Sequence, residues 1–110
     1  MADYITNIIV RYEADLQRAK QYGCFLQLVK EQTPEICLAS VQNKGLTLQY
    51  VKEQTPEICL AAVQNDGRTL QFVKKQTAEI CLAAVKRFGH VLKYVKDLEL
   101  KEQIRLQLNL

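Results

Sequence analysis

A fixed period of 22 residues constrains the fold of this chain more than any other feature. The four glycines of the chain, Gly23, Gly45, Gly67 and Gly89, are separated by this interval. The same step relates two apolar ladders, which are Leu26, Leu48, Leu70 and Leu92, and Val29, Val51, Val73 and Val95. A period of this kind is typical of repeat architectures, in which neighbouring copies bury one continuous core.

Each copy contains signals for two short helices. The segment at residues 54–61, QTPEICLA, also stands at residues 32–39 and, with one substitution, at residues 76–83. Thr55 is a good N-cap and Pro56 suits the first turn of a helix. Gly67 is then expected to close that helix in the left-handed conformation, and a second helix is predicted from about Arg68 to Lys75.

Leucine-rich repeats have periods in the same range and are the main alternative architecture. Leucine-rich repeats require Asn or Cys to recur at one position of every copy. The best candidates here are Asn43, Asn65 and Arg87, so the third copy lacks the required residue. Proline at a helix start also favours pairs of helices. We therefore predict an all-α fold, a short solenoid-like stack of helix pairs.

The 110 residues amount to one domain, with repeats at residues 23–97 and degenerate caps at residues 1–22 and 98–110. Asp3 is expected to cap an N-terminal helix with the apolar stripe Tyr4, Ile5, Ile8, Ile9, Tyr12, Leu16 and Ala19. Core positions are predicted along a ladder of Leu38, Leu60 and Leu82, which Ile104 continues. The alternating residues Ile104, Leu106, Leu108 and Leu110 also fit a strand, although a closing helix is the preferred interpretation.

The segment TPEICLAAVQNDGRTLQFVK, at residues 55–74, resembles the repeat of the domain of unknown function 4116 family. The resemblance extends over about residues 23–97, and it departs from the family pattern at Ser40, where Ala is usual, and at Ala78, where Pro is usual. The resemblance implies short helical repeats of a kind found in intracellular bacteria, protists and large viruses, often in effector-like proteins. It also implies protein interaction and supplies no catalytic residues.

The four cysteines favour free thiols over a disulfide framework, because no secretory signal precedes them and a cytoplasmic protein is expected. Cys37, Cys59 and Cys81 occupy equivalent positions on stacked helices, which lie about 8–10 Å apart, beyond disulfide reach. They are predicted to be buried structural thiols, and Cys24 is predicted to be more exposed.

Catalytic and metal chemistry find little support in the sequence. His90 is the only histidine, so a site with two histidine ligands is excluded. The equivalent positions in the other copies hold Cys24, Leu46 and Arg68, which indicates a tolerant surface site rather than a catalytic base. We therefore expect no enzyme activity, no metal and no cofactor.

Charge is concentrated in the third copy. Residues 67–96 hold one acidic side chain, whereas the basic residues there are Arg68, Lys74, Lys75, Lys86, Arg87, Lys93 and Lys96. These residues are candidates for binding an acidic protein surface or a nucleic-acid backbone. A solvated face without a ligand is the alternative interpretation of the same pattern.

A second candidate surface is a groove along the stacked second helices. It would be formed by Gln49, Tyr50, Gln71, Phe72 and Tyr94. The sequence therefore predicts a non-enzymatic protein-interaction module, such as a small inhibitor or effector from a pathogen or mobile element that occludes its target. The alternative is a nucleic-acid-backbone binder that uses the basic third repeat. No membrane partner is expected, and an oligomer through the apolar C-terminal tail stays possible.

Overall fold

Five α-helices alternate with four 3₁₀ helices in a computed structural model that describes residues 2–110, and side chains from residue 5 onward. The α-helices are α1 (Ala2–Gln21), α2 (Pro34–Asn43), α3 (Pro56–Asn65), α4 (Ala78–Arg87) and α5 (Leu98–Gln107). The 3₁₀ helices are η1 (Gly23–Leu28), η2 (Gly45–Tyr50), η3 (Gly67–Phe72) and η4 (Gly89–Tyr94). No strand occurs within residues 2–110, so the all-α prediction is confirmed.

The helix starts predicted from the recurring threonine are confirmed. In α3 the Thr55 hydroxyl accepts a hydrogen bond from the Ile58 amide at 3.2 Å, and Pro56 is the first helical residue. Equivalent threonine caps begin α2 and α4. The closing helix α5 is instead capped by Asp97, whose carboxylate accepts hydrogen bonds from the Glu99 and Leu100 backbone amides. The C-terminal segment is therefore a capped helix rather than a strand.

The second helix of each copy is shorter and tighter than the sequence predicts. Instead of an α-helix from Arg68 to Lys75, the third copy has the six-residue 3₁₀ helix η3, and Val73 after it is already extended. A 3₁₀ helix rises about 2.0 Å per residue, against about 1.5 Å in an α-helix. Six residues of 3₁₀ helix therefore cover most of the length of the ten-residue α-helix. This economy lets both helices and their connections fit within a period of 22 residues.

The left-handed conformation expected at the glycines is wrong, because no glycine within residues 2–110 has a positive φ. Each glycine is the first residue of a 3₁₀ helix, close to the end of the next copy's α-helix. A Cβ atom on Gly45 would lie 2.6 Å from the carbonyl oxygen of Ala62, and one on Gly23 would lie 2.7 Å from that of Ser40. Close approach between copies therefore explains glycine at these two positions.

The core lies between a layer of α-helices and a layer of 3₁₀ helices. Each α-helix packs on its neighbours in the array, as does each 3₁₀ helix, and the two layers contact each other. The 3₁₀ layer contributes the fully buried leucines Leu26, Leu48 and Leu70. Leu60 and its equivalents are only half-buried against this core. The prediction that Leu60 is a core residue is thus correct for its contacts and overstated for its burial.

The apolar stripe of α1 is used in only half of the helix. Ala19 is buried, and Tyr12 and Leu16 pack against the core, whereas Ile5 and Ile8 are exposed. The expected Asp3 cap and the Tyr4 side chain lie outside the described side chains. At the other end of the stack, Ile104 is buried as predicted.

Candidate interaction surface

A glutamine in each copy joins that copy to the next. The amide nitrogen of Gln54 donates to the Phe72 carbonyl at 2.9 Å, and its oxygen accepts from the Lys74 backbone amide at 3.0 Å and from the Cys59 thiol at 3.5 Å. Gln32 and Gln76 make the same set of bonds. We call these three residues the glutamine clamp. Sequence reasoning missed their role, although their recurrence before each Thr cap was the available signal.

Asparagines form a second link on the opposite edge of the stack. The side-chain oxygen of Asn65 accepts from the Gly45 amide at 2.7 Å, and its nitrogen donates to the Gln42 carbonyl at 3.0 Å. Asn43 bonds to Gly23 in the same way. Asn43 and Asn65 therefore connect neighbouring copies. They do so from the last residue of an α-helix and not from a leucine-rich repeat.

The outer surface of the 3₁₀ layer carries aromatic, amide and basic side chains from three copies. We call this surface the 3₁₀ face, formed by Gln49, Tyr50, Arg68, Gln71, Phe72, His90, Lys93 and Tyr94. Tyr50 is exposed, and Phe72 and Tyr94 are half-buried. Their three carbonyl oxygens accept the hydrogen bonds of the glutamine clamp, at 2.7–2.9 Å. The backbone under the aromatic row is therefore held in place by the preceding copy.

The predicted groove residues all belong to this face, but its two glutamines bond within their own helices. Gln49 and Gln71 each donate from the side-chain amide to a carbonyl of the same 3₁₀ helix, at 3.1 Å. Both side chains are exposed. They are therefore accessible to a partner, whereas the side-chain amides of the glutamine clamp are occupied by bonds within the fold.

Two of the seven predicted basic residues lie on the 3₁₀ face. Arg68 forms an ion pair with Asp66 at 2.6 Å. The guanidinium lowers the pKa of the Asp66 carboxyl, chiefly through a side-chain hydrogen bond, so this charge is already partnered near neutral pH. The Lys93 ammonium lies 5.3 Å from the centre of the Tyr94 ring, an arrangement favourable for cation–π attraction.

The other five basic residues are divided between two edges of the stack. Lys74 and Lys75 precede α4, and Lys86 and Arg87 lie in its last turn. Because ten helical residues span about 15 Å, these two pairs are at opposite ends of the helix. Lys96 follows η4, in the position equivalent to Lys74. All seven side chains are exposed, but the structure does not gather them into one cluster.

The cysteines are placed as the sequence predicts. Cys37, Cys59 and Cys81 are buried free thiols, and Cys24 is exposed. Burial raises the pKa of the three buried thiols, so they stay protonated and unreactive near neutral pH. The exposed His90 lies beside the Phe88 ring, with 6.4 Å between ring centres. In the described part of the chain no group of three or more His, Cys, Asp or Glu residues is arranged to hold a metal ion.

These features define an all-α repeat protein whose copies are linked by side-chain amides and whose 3₁₀ helices pack on one another in a single layer. Its sequence matches the family described as Domain of unknown function (DUF4116) over residues 33–77 and again over residues 55–101. The chain belongs to this family, and the two overlapping matches agree with its repeated structure. No curated protein and no solved structure matches the chain. Among residues 2–110, no helix has the length and apolar character needed to cross a membrane.

Proposed function

We propose that this chain is a non-enzymatic protein-interaction module that binds an acidic protein surface through its 3₁₀ face. The observation that carries the proposal is the row of Tyr50, Phe72 and Tyr94 in successive 3₁₀ helices, with the Lys93 ammonium beside the Tyr94 ring. Aromatic residues and arginine are enriched in protein interfaces and among the residues that contribute most to affinity. Acidic groups on the partner would complement the basic side of this face.

Rigidity supports the same proposal. Ordering of loops and side chains opposes association, so a surface that is ordered in advance binds with a smaller entropic penalty. In this protein the glutamine clamp fixes the carbonyls of all three aromatic residues before any partner arrives. A rigid face of this kind would act by covering the surface that it binds, as an inhibitor or effector does.

Nucleic-acid binding is the second candidate, and the excess of cations at residues 67–96 is the observation that favours it. A phosphate backbone would have to engage basic residues on both edges of the stack, since Lys75 and Arg87 lie at opposite ends of α4. This division favours a protein ligand, whose charges need not follow a regular backbone.

The test is affinity capture from a cytosolic lysate, with and without nuclease, using three double variants that each alter one surface. Gln49→Glu with Gln71→Glu changes the 3₁₀ face. Lys74→Glu with Lys75→Glu changes the edge of the stack at which the α-helices begin. Lys86→Glu with Arg87→Glu changes the opposite edge, at which the α-helices end. All these side chains are exposed, so the fold should be retained.

We expect a stoichiometric protein that survives nuclease and is lost only in the variant of the 3₁₀ face. If the Gln49 and Gln71 variant still captures the protein and one of the two charge-reversal variants does not, the binding site lies on the edge that the second variant changes. Recovery of only nuclease-sensitive material, with binding that weakens steeply as salt rises, would replace the proposal by nucleic-acid binding.

A further inference from the structure

His90 is the residue of the 3₁₀ face whose charge depends on pH near neutrality. It is the only histidine of the chain, and its side chain is exposed on η4. Histidine ordinarily changes charge between about pH 5 and about pH 8, whereas Asp, Glu, Tyr, Lys and Arg side chains keep their charges over that range. Between these pH values the charge of the 3₁₀ face therefore changes at His90.

His90 lies beside the ion pair of the preceding copy. Its ring meets the Phe88 ring edge-on, with 6.4 Å between the ring centres. The same Phe88 ring covers Gly67, where a Cβ atom would lie 2.5 Å from it, and Gly67 directly follows Asp66. The Asp66 carboxylate is bonded to Arg68 at 2.6 Å. Electrostatic attraction crosses this junction, because the pKa of the Asp66 carboxyl is lowered chiefly by Arg68 and further by the charge of His90.

The other charged groups around η4 keep their charges over this pH range. The 3₁₀ helix η4 packs against η3 and α4. The cations on these three elements are Arg68 on η3, Lys86 and Arg87 in the last turn of α4, and Lys93 on η4 itself. The Leu110 side chain approaches the start of η4, and the carbonyl oxygen of Leu110 accepts a hydrogen bond from Arg105 at 3.0 Å. Asp66 stays ionised throughout, since its pKa is lowered.

Protonation of His90 doubles the net charge of this part of the 3₁₀ face. While His90 is neutral, Arg68 and Lys93 supply two positive charges and the bonded Asp66 cancels one of them. Protonation adds a further positive charge on an exposed side chain. A carboxylate that approaches the face is attracted more strongly to the protonated form. Because such a ligand favours the protonated form, its affinity must rise as the pH falls.

We propose that His90 makes the 3₁₀ face a pH-dependent site for carboxylate-bearing segments of a protein partner, which the face binds more tightly at mildly acidic than at mildly alkaline pH. This role rests on the proposed function, since it concerns the same face and an acidic partner. One ion pair at an exposed site strengthens binding by about two- to fivefold. We expect a change of that size between about pH 8 and about pH 5.5.

The probe for the test is a short poly-glutamate peptide, titrated into the 110-residue chain at low ionic strength and followed by NMR chemical shifts. In the wild type, binding should shift the signals of η3 and η4 and should be tighter at the lower pH. His90→Gln is neutral at both pH values, so it should bind with the weaker affinity at both. His90→Arg is charged at both, so it should bind with the tighter affinity at both. The fold tolerates arginine here, because Arg68 holds the equivalent position of η3.

The two variants separate the role of His90 from the proposed function. Equal wild-type affinities at the two pH values, or the same pH dependence in His90→Gln, would overturn the role of His90. Binding to η3 and η4 would then still support the proposed function. If the peptide binds at neither pH, or shifts only signals away from η3 and η4, the 3₁₀ face does not recognise carboxylates, and both the proposed function and the role of His90 are wrong.

Discussion

Alanine substitution at equivalent glycines should have effects of different size and sign. In Gly45→Ala the new Cβ atom would lie 2.6 Å from the Ala62 carbonyl oxygen and 3.0 Å from the Asn65 amide oxygen. In Gly89→Ala the nearest atom is a methyl group of Leu110, at an ordinary contact distance of 3.6 Å. Neither glycine has a positive φ, so backbone strain does not enter the comparison.

The magnitude at Gly45 follows from the contact with a backbone atom. A carbonyl within a helix moves only with its helix, so neighbouring copies must separate, and overpacking of this kind costs about 1–3 kcal/mol. Separation also weakens the 2.7 Å hydrogen bond between the Gly45 amide and Asn65, worth about 1 kcal/mol. We therefore expect Gly45→Ala to lower the free energy of unfolding by about 2–4 kcal/mol.

Gly89→Ala meets no such obstacle and reduces the entropy of the unfolded chain. It should leave stability unchanged or raise it by about 0.4–1 kcal/mol. Gly67→Ala should fall between the two, because its Cβ would meet the Phe88 ring at 2.5 Å, and a side chain yields more easily than a backbone. Adding Phe88→Ala should relieve the contact with the ring but not the contact with the Phe88 Cβ atom, which lies 2.9 Å away and remains in alanine.

Urea denaturation followed by circular dichroism measures these differences in the free energy of unfolding. Equal losses at Gly45 and Gly89 would refute the reasoning, since they would indicate a shared left-handed conformation. A loss below about 0.5 kcal/mol at Gly45 would refute it as well, since surface substitutions commonly have effects of that size.

Four further predictions concern the links between copies, the core and the thiols. Gln54→Ala should cost about 1–2 kcal/mol, because two backbone groups of the next copy lose their partner, whereas Gln71→Ala, which breaks a bond within one helix, should cost under about 0.5 kcal/mol. Equal costs in urea denaturation would contradict the glutamine clamp. Leu70→Ala, at a fully buried side chain, should cost about 2–5 kcal/mol, and the half-buried Leu60→Ala should cost clearly less. A larger loss at Leu60 in the same assay would contradict the observed core. Alkylation of the native protein, followed by mass spectrometry, should modify Cys24 alone, and modification of the buried thiols before unfolding would contradict their burial. Burial raises the pKa of those thiols above 9.0, so their contribution to stability is complete below that pH and is lost as the pH rises through the folded-state value. Thermal melts should therefore show a decline above about pH 9 that diminishes when the three are replaced by alanine.

Local chemistry explains which features were predictable. A helix start depends on a few adjacent residues, so Thr55 and Pro56 identified the beginning of α3 without any tertiary information. The apolar ladders similarly indicated a repeated all-α core, because periodicity is a property of the chain itself. Burial of the cysteines followed from their apolar neighbours.

The candidate site was predictable in composition and not in arrangement. The groove residues Tyr50 and Phe72 were found because they recur, and both lie at the end of a 3₁₀ helix, whereas their role as a groove stays a prediction. The basic residues were grouped by their closeness in sequence, yet Lys75 and Arg87 lie at opposite ends of a helix. Because a helix of ten residues separates the charges at its two ends, the number of charges in a segment of 30 residues does not show whether they lie close together.

By itself, the sequence determined the period, the helix starts and the class of fold. Tertiary structure decided that the second helix is 3₁₀, that Gly45 is needed for close approach, and that Gln54 and Asn65 link the copies. The physical reason is the range of the interactions: these hydrogen bonds and contacts join residues about 20 positions apart, and they form only once neighbouring copies are stacked.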